Sequence, residues 1–253
     1  MHTCPSQNQL LSAMLDADRQ PLRALLEPVD LPLGTMLYAA GTELGHVYFP
    51  TSAIISLTST MKDGASVEVA VVGNEGVVGV CAFMGEGPSL SSAIVQKAGQ
   101  ALMMKAQSIR DASRQSAPFM QALLRYTQAL FAHMAQTSAC SRHHALDQQL
   151  CRWLLQHLDR LDGDELMVTQ ERIAHMLGVR REGITMGALR LQEAGLIRYR
   201  RGHISILDRA GIEERSCECY AVVKGVYEHL SSCRPRLLPP SAMQRVMSAA
   251  ACA

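Results

Sequence analysis

Residues 167–207 constrain the fold of this chain more than any other segment. They contain two short amphipathic helical patterns separated by Gly178, and then two short β-type runs on either side of an Arg-Arg-Gly sequence. Thr169 predicts an N-cap for the first helix, and Gly178 predicts its end, because glycine enters the left-handed region at little cost. A second helix is predicted to begin near Arg181. This order of elements is typical of a helix-turn-helix followed by a wing.

The polar residues of this segment fit contact with a DNA duplex. The first turn of the second helix would enter the major groove, where arginine binds guanine and glutamate accepts from cytosine. The side chains predicted to read bases are Arg180, Arg181, Glu182 and Thr185. The side chains predicted to contact phosphates are Thr169, Gln170, Arg190, Arg200, Arg201 and His203. The alternative is an arginine-rich helical hairpin with no nucleic-acid role.

The distribution of charge favours the DNA interpretation. The whole chain has a formal net charge of +1, which excludes a polybasic coat protein and an acidic tail. Residues 1–108 contain 5 Lys/Arg and 9 Asp/Glu, whereas residues 169–209 contain 8 Arg and 4 Asp/Glu. Such a local cluster of guanidinium groups is what a phosphate-facing surface requires.

The N-terminal half has a different pattern. Residues 9–27 predict a short amphipathic helix, with Pro28 following its end. Between residues 31 and 105, glycines punctuate short runs rich in Val, Ile, Thr and Ser, and Lys62-Asp63-Gly64 is a hairpin signal. Many short strands with regular turns predict a closed or rolled β domain. The motif Gly73-x-x-Gly76-x-x-Gly79 lacks the Lys-Ser/Thr of a P-loop and is interpreted as a turn between strands.

A long helix is predicted to follow, with Pro118 in its first turn. It carries two apolar stripes, and a helix with two apolar faces needs two packing partners. One partner would be the β domain, and the other would be the same helix of a second subunit across a two-fold axis. The stripe predicted to make the dimer contact is Phe119, Leu123, Tyr126, Leu130 and Met134; the second stripe is Met120, Leu124 and Phe131. A helix buried within one monomer is the alternative.

Composition narrows the class of protein. Hydrophobic residues make up 48% of the chain, so a sizeable core can form. The eight cysteines are scattered rather than arranged as a disulfide framework, and the first ten residues lack a signal-peptide pattern. No run approaches the length of a membrane span. We therefore expect a cytoplasmic protein without membrane contact.

The sequence predicts neither an enzyme nor a bound cofactor or metal. No Ser/His/Asp arrangement or carboxylate pair stands out. Cys217-x-Cys219, with Cys233 and His229, is the alternative for a metal- or redox-responsive module, although this spacing is short for a zinc knuckle. Cys140, Cys151, His143 and His144 lie on predicted helical segments and are interpreted as surface or core positions.

In the order of its segments the chain resembles the Crp/Fnr family of bacterial transcription regulators, over about residues 10–230. The resemblance is carried by TQERIAHMLGVRREGIT, LQEAGLIRYRRGHISILDR and CECY in the second half, and by YFPTSAIISL and VEVAVVGNEGVVG in the first. It implies a cyclic-nucleotide-binding-like β roll, a dimerisation helix and a homodimer on a two-fold-related DNA site. The Arg-Glu pair of the family's recognition helix matches Arg181-Glu182, but Met186 stands where a further basic residue is frequent.

The sensory half departs from the family pattern. Members that bind cyclic nucleotides carry Gly-Glu-Leu and, further along, Arg-Ser/Thr-Ala, whose Arg neutralises the cyclic phosphate. The matching positions lack both charged residues and form a degenerate effector pocket of Gly79, Val80, Cys81, Ser91 and Ser92. Because a buried phosphate without a counter-charge is costly, control by cyclic AMP is not expected. Cys4 alone near the N-terminus argues against an iron–sulfur cluster. A haem ligand at His46 or His133 stays open.

We therefore expect an α+β protein in four parts. These are a jelly-roll-like β-roll sensory domain (9–116), a dimerisation helix (117–141), a C-terminal winged helix-turn-helix domain (142–230) and a loosely ordered tail (231–253). The expected function is homodimeric, sequence-specific regulation of transcription on palindromic double-stranded DNA. RNA polymerase and an unknown small-molecule effector are further partners to consider. The alternatives are cyclic-nucleotide binding through backbone amides near Val77–Cys81, and the metal- or redox-responsive module.

Overall fold

The structure is a computed structural model, and it describes residues 7–15, 22–85, 87–161 and 163–231. Its helices are α1 (Gln9–Leu15), α2 (Cys81–Met84), α3 (Ala106–Gln115), α4 (Ala117–His143), α5 (Leu146–Leu158), α6 (Gln170–Leu177), α7 (Arg181–Glu193), α8 (Arg209–Arg215) and α9 (Cys219–Ser231). Its strands are β1 (Glu27–Leu31), β2 (Met36–Tyr38), β3 (His46–Pro50), β4 (Ile54–Thr60), β5 (Ser66–Val72), β6 (Ser92–Lys97), β7 (Gly99–Lys105), β8 (Glu165–Met167), β9 (Ile197–Arg200) and β10 (His203–Ile206). The predicted α+β organisation is confirmed.

The strands β1 to β7 form two antiparallel sheets that share one apolar core. Their orders are β1-β7-β3 and β2-β6-β4-β5. Val47 and Phe49 of the first sheet and Ile55 and Val72 of the second are fully buried in the same cluster. The core residues alternate along β4 and β6, since successive side chains point to opposite faces. The predicted hairpin joins β4 to β5, and Gly64 in its turn has φ +88°.

The helix predicted over residues 9–27 is wrong at its C-terminal end, and residues 16–21 lie outside the described part of the chain. Helix α1 includes Gln9–Leu15, a short 3-10 turn follows at Arg23–Leu25, and β1 already begins at Glu27. Pro28 lies inside β1, opposite Leu102. Strand β1 is at the edge of its sheet. A proline is tolerated there, because an edge strand leaves some N–H groups without a ladder partner.

The long helix α4 begins at Ala117 and packs its inner face against the β domain. The Ser116 side chain caps it by accepting from the Phe119 N–H, and Pro118 lies in its first turn, as predicted. Phe119, Leu123, Tyr126 and Leu130 are buried, and they belong to the core of the β domain. Met134 is partly buried against the same core.

The assignment of that stripe to the dimer contact is therefore wrong. Its side chains are covered by the chain's own β domain, because α4 packs against β5 and its buried residues join that domain's core. The second stripe faces outward instead. Leu124 and Phe131 are 51% and 53% exposed, and Met120 is half-buried. Hydrophobic periodicity identified both faces but not which face the sheets would cover.

The C-terminal part has a separate core. Trp153 and Leu154 of α5 pack with Ile173 of α6, Ile184 of α7 and Ile204 of β10. The strands β8, β10 and β9 form a three-stranded antiparallel sheet beside these helices. Because the inner face of α7 packs into this core, the opposite face of the helix is held toward solvent.

Helix α9 leaves this part and returns to α4. Tyr227 and Leu230 pack against the core of the β domain, and the Tyr227 hydroxyl lies 3.3 Å from His133 Nδ1. The last helix therefore crosses the predicted boundary between the two domains. Apart from Ser231, the predicted loose tail lies outside the described residues. Among the helices that the structure describes, none has the length and apolar content needed to cross a membrane.

Candidate nucleic-acid interface

The first helix of the predicted motif is α6, and both of its ends have the expected geometry. The Thr169 side chain caps it by accepting from the Arg172 N–H at 3.2 Å. Gly178 ends it in the left-handed region, with φ +65°. Val179 N–H donates to the Ala174 carbonyl at 3.0 Å and so closes the turn. The sharp turn directs the chain into α7.

The second helix, α7, begins at Arg181 as predicted. Its inner face includes Ile184, Ala188 and Leu191. Sequence reasoning missed Gly183, where a Cβ would lie 2.7 Å from Leu146 Cδ2. A side chain at that position would push α7 away from α5, so glycine allows the close contact.

The outer face of α7 carries the predicted base-reading side chains. Arg180, Arg181, Glu182 and Thr185 are all exposed on its N-terminal turn. The Thr185 hydroxyl donates to Gln170 Oε1 at 2.7 Å, which fixes these two side chains relative to each other. Among the described residues, neither Arg180 nor Arg181 makes an ion pair.

The wing is the hairpin of β9 and β10. Arg200 lies opposite His203, and the turn between them contains Arg201 at φ +46° and Gly202 at φ +84°. Arg200, Arg201 and His203 are exposed. The wing is held against α6 because the Tyr199 hydroxyl accepts from the Gln170 N–H at 3.2 Å. Its cations therefore lie at the end of α6 that also bears Thr169.

Arg190, which was predicted to contact phosphate, has a different partner in the structure. Its guanidinium binds both carboxylate oxygens of Asp147, at 2.7 and 2.5 Å. Hydrogen bonding to that carboxylate raises the pKa of Arg190. The ion pair joins α7 to the first turn of α5. A phosphate contact by Arg190 would have to replace or share this pair.

Sequence reasoning also missed a link between α6 and the β domain. Arg172 Nε donates to Gln96 Oε1 at 2.6 Å, and Gln96 Nε2 lies 3.3 Å from Met176 Sδ. Gln96 is on β6, so the first helix of the predicted helix-turn-helix is hydrogen-bonded to the β domain. The 76 residues between the two side chains explain why no local sequence pattern indicated this contact.

The predicted effector pocket is a cleft between the β domain and α4. Its volume is about 410 Å³, and Gly79, Val80, Cys81 and Ser91 line it. Ser92 is not a lining residue; its hydroxyl accepts from the Ala40 N–H at 3.0 Å. Leu130, Phe131 and Met134 close the cleft from the α4 side. No charged side chain lines it among the residues that the structure describes.

The structure changes the set of residues in the alternative metal- or redox-responsive module of Cys217, Cys219, Cys233 and His229. Cys217 and Cys219 lie together, but their neighbours are Cys140 and His144. His229 is not among the grouped ligands, and Cys233 lies outside the described residues. Cys140 is a buried position near the end of α4, and His144 caps that helix, so both fit their interpretation as core or surface positions. Their contacts with Cys217 and Cys219 join segments 77 and 75 residues apart, so no local pattern indicated them.

Two family models match the chain. A Crp-like helix-turn-helix domain matches residues 148–215, and a cyclic nucleotide-binding domain matches residues 28–116. A curated relative is the CRP-like cAMP-activated global transcriptional regulator of Mycobacterium tuberculosis. It is 25% identical over 202 residues, which cover 76% of this chain and 88% of the relative.

Solved structures share the fold. FixK2 from Bradyrhizobium japonicum superposes with a TM-score of 0.66 at 15% identity, covering 76% of this chain and 98% of that one. A putative Crp/Fnr-family transcriptional regulator from Eubacterium rectale gives 0.62 at 20% identity, covering 85% and 94%.

The sequence motifs, the fold and both domain matches agree, and the two matches together cover more than half of the chain. The family indicated by these matches consists of DNA-binding regulators of transcription rather than enzymes. The chain belongs to the Crp/Fnr family of bacterial transcription regulators.

Proposed function

We propose that the protein binds a palindromic DNA site as a homodimer, with α7 reading bases and the β9–β10 wing contacting the backbone. The observation that carries this proposal is the surface at the start of α7. There, Arg180, Arg181 and Glu182 are exposed, and the described residues offer neither arginine an ion-pair partner. Exposed arginines without an ion-pair partner can bind guanine edges without first breaking a salt bridge.

The outer face of α4 is the dimer contact in this proposal. Leu124, Phe131 and Ala135 are exposed at spacings of seven and four residues. This is the spacing at which two parallel helices pack across a two-fold axis. A helix of 27 residues is about 40 Å long. It can therefore carry the two DNA-binding parts at a fixed separation.

Selection of bound sequences from a random DNA pool tests the proposal. We expect a palindrome whose half-sites are about one helical turn apart, since two α7 helices would enter successive major grooves. Affinity for the selected site should fall steeply with salt, because phosphate contacts release counterions. A selected site without two-fold symmetry, or binding that is insensitive to salt, would contradict the proposal.

Independence from cyclic AMP is the second part of the proposal. The described lining of the cleft supplies no cation for a cyclic phosphate and no carboxylate for a ribose hydroxyl. An uncharged, apolar effector fits it better, because Leu57, Leu130, Phe131 and Met134 dominate its walls.

The competing function is control by a cyclic nucleotide, and the relative described as cAMP-activated favours it. Calorimetric titration of the whole protein with cyclic AMP and with cyclic GMP separates the two. We expect no heat of binding at micromolar ligand. A micromolar affinity that also tightens binding to the selected DNA would establish the competing function.

A further inference from the structure

Four potential metal ligands converge where α4, α5 and α9 meet. They are the thiols of Cys140, Cys217 and Cys219 and a ring nitrogen of His144, and their ligand atoms all lie within 4.8 Å of one another. The Cys140 and Cys217 Sγ atoms are 3.5 Å apart, and Cys219 Sγ is 3.4 Å from His144 Nδ1. A tetrahedron with metal–sulfur bonds of about 2.3 Å has edges of about 3.8 Å, so these separations match one coordination shell.

We propose that these side chains form a Cys3His site for a zinc ion. The set has the number and kind of ligands of a structural zinc centre, with no position left for substrate. The three cysteines are buried, and the His144 side chain is 19% exposed. A closed, water-poor arrangement of this kind holds a metal for stability rather than for catalysis.

The groups around the four ligands are also those that a metal centre requires. His144 Nε2 lies 3.3 Å from Glu218 Oε1, so the carboxylate can orient the ring with Nδ1 toward the sulfurs. A carboxylate on the outer nitrogen is the usual partner of a zinc-bound histidine. Gln136 Nε2 donates to Cys219 Sγ at 3.0 Å, which would stabilise a thiolate.

A disulfide explains less of this arrangement. A bond between Cys140 and Cys217 would use two of the four groups and would give Cys219, His144 and Glu218 no role. Packing of neutral thiols explains the burial but not the orientation of His144. The short Cys217-x-Cys219 spacing is no obstacle, because the other two ligands come from a distant segment of the chain.

The location gives the site a mechanical role. Cys140 lies near the end of α4 and His144 follows it, whereas Cys217 lies in the connection before α9 and Cys219 begins α9. A zinc ion would therefore tie the long helix to the C-terminal part at the point where the chain passes between them. This role does not depend on what DNA the protein binds or on any effector.

Metal analysis of the reduced full-length protein is the first test. We expect stoichiometric zinc after purification from zinc-supplemented medium. Replacement by Co²⁺ should give the visible bands of tetrahedral cobalt together with a sulfur-to-metal charge-transfer band. Removal of the metal by a chelator should lower the melting temperature, since binding to the folded state alone is stabilising.

Variants locate the ion. Cys217→Ser and His144→Gln should each lose stoichiometric zinc, whereas Cys151→Ser, a buried thiol outside the set, should keep it. Glu218 is 72% exposed, so Glu218→Gln can be made without disturbing the fold. It should weaken zinc affinity by about 10- to 100-fold. The exposed Glu214→Gln, on α8, should leave that affinity unchanged.

Three results would overturn the proposal. The first is absence of both stoichiometric zinc and a tetrahedral cobalt spectrum in the wild-type protein, which needs no variant to fold. The second is a Cys140–Cys217 disulfide in protein that carries no metal. The third is an iron–sulfur chromophore at these cysteines in place of zinc.

Discussion

At the scale of single residues, Arg181 and Arg200 separate base reading from backbone contact. Arg181 begins α7 and Arg200 ends β9 at the wing, and both are exposed. Arg181→Ala should cost about 1–3 kcal/mol on the selected site and relax specificity at one base pair. Arg200→Ala should weaken all sequences equally and reduce the salt slope by about 1. Gel-shift titrations on selected and random DNA at several salt concentrations measure both effects.

The control for these variants is Arg114→Ala. Arg114 is an exposed arginine on α3, outside the helix-turn-helix and the wing, and its loss should leave the affinity for DNA unchanged. If Arg181→Ala weakened binding to random DNA as much as to the selected site, Arg181 would be a phosphate contact instead.

His133 gives the stability of the protein a dependence on pH. Burial, reinforced by Arg160 and Arg152, holds the pKa of His133 well below its usual value, and Tyr227 packs edge-on against its ring. Below about pH 6.5, His133 therefore binds a proton in the unfolded chain but stays neutral in the folded chain. The free energy of unfolding should fall in that range, by at most about 1.4 kcal/mol per pH unit from this group. Above it, His133 contributes no slope.

Urea denaturation of His133→Asn checks this prediction. The variant loses packing at every pH, so the informative quantity is the slope of stability against pH, which should be shallower than that of the wild type below about pH 6.5. Equal slopes for the two proteins would show that His133 is not the group responsible.

At the scale of elements, a largely buried ion pair joins the loop after β5 to the turn after α5. Arg160 Nη2 lies 2.7 Å from Glu75 Oε1, and the two side chains are 7% and 13% exposed. Arg160→Ala should destabilise the protein by about 3–5 kcal/mol, because it leaves the Glu75 carboxylate with its hydrogen bonds from the Gly73 N–H but without a counter-charge. Chemical denaturation measures the loss.

Two comparisons make that result interpretable. Arg114→Ala breaks an exposed pair with Asp111, which is worth less than about 1 kcal/mol. Adding Glu75→Gln to Arg160→Ala should recover part of the stability, since the orphaned charge is removed. A double variant as unstable as the single one would assign the loss to packing of the Arg160 side chain.

The elements also show what could be predicted from the sequence. The cap at Thr169, the left-handed Gly178 and the β4–β5 turn depend on residues close together in the chain, so local patterns identified them. The glycine motif after β5 was interpreted as a turn between strands, but only Gly73–Gly76 turns: Val78 pairs with Tyr48, and α2 follows. Gly76 itself is required because a Cβ there would collide with the Tyr126 ring.

Contacts between distant segments could not be predicted. The pairs Arg160–Glu75, Arg172–Gln96 and Cys140–Cys217 are separated by 85, 76 and 77 residues. Only the packing of α5, α6 and α9 brings them together. The same limit explains the error on α4, because a sequence shows that two faces are apolar without showing which one the sheets cover.

At the scale of the whole molecule, α4 connects every proposed function. Its inner face completes the core of the β domain, and its side closes the cleft through Phe131. Its last turn carries Cys140, and His144 directly follows it. A ligand in the cleft would contact the helix that makes the proposed dimer. Such a ligand shifts DNA binding only if it binds one arrangement of the helices better than the other.

The dimer itself is tested on the outer face of α4. Leu124→Glu places a charge at an exposed position that lies outside the cleft lining, so it should leave the monomer folded. Across a helix pair the carboxylates would be buried and would repel each other. We expect sedimentation analysis to show a monomer, and affinity for the palindrome to fall to that of one half-site. Leu33→Glu, at an equally exposed leucine between β1 and β2, should remain dimeric. A dimeric Leu124→Glu protein with full affinity would place the two-fold contact on another surface.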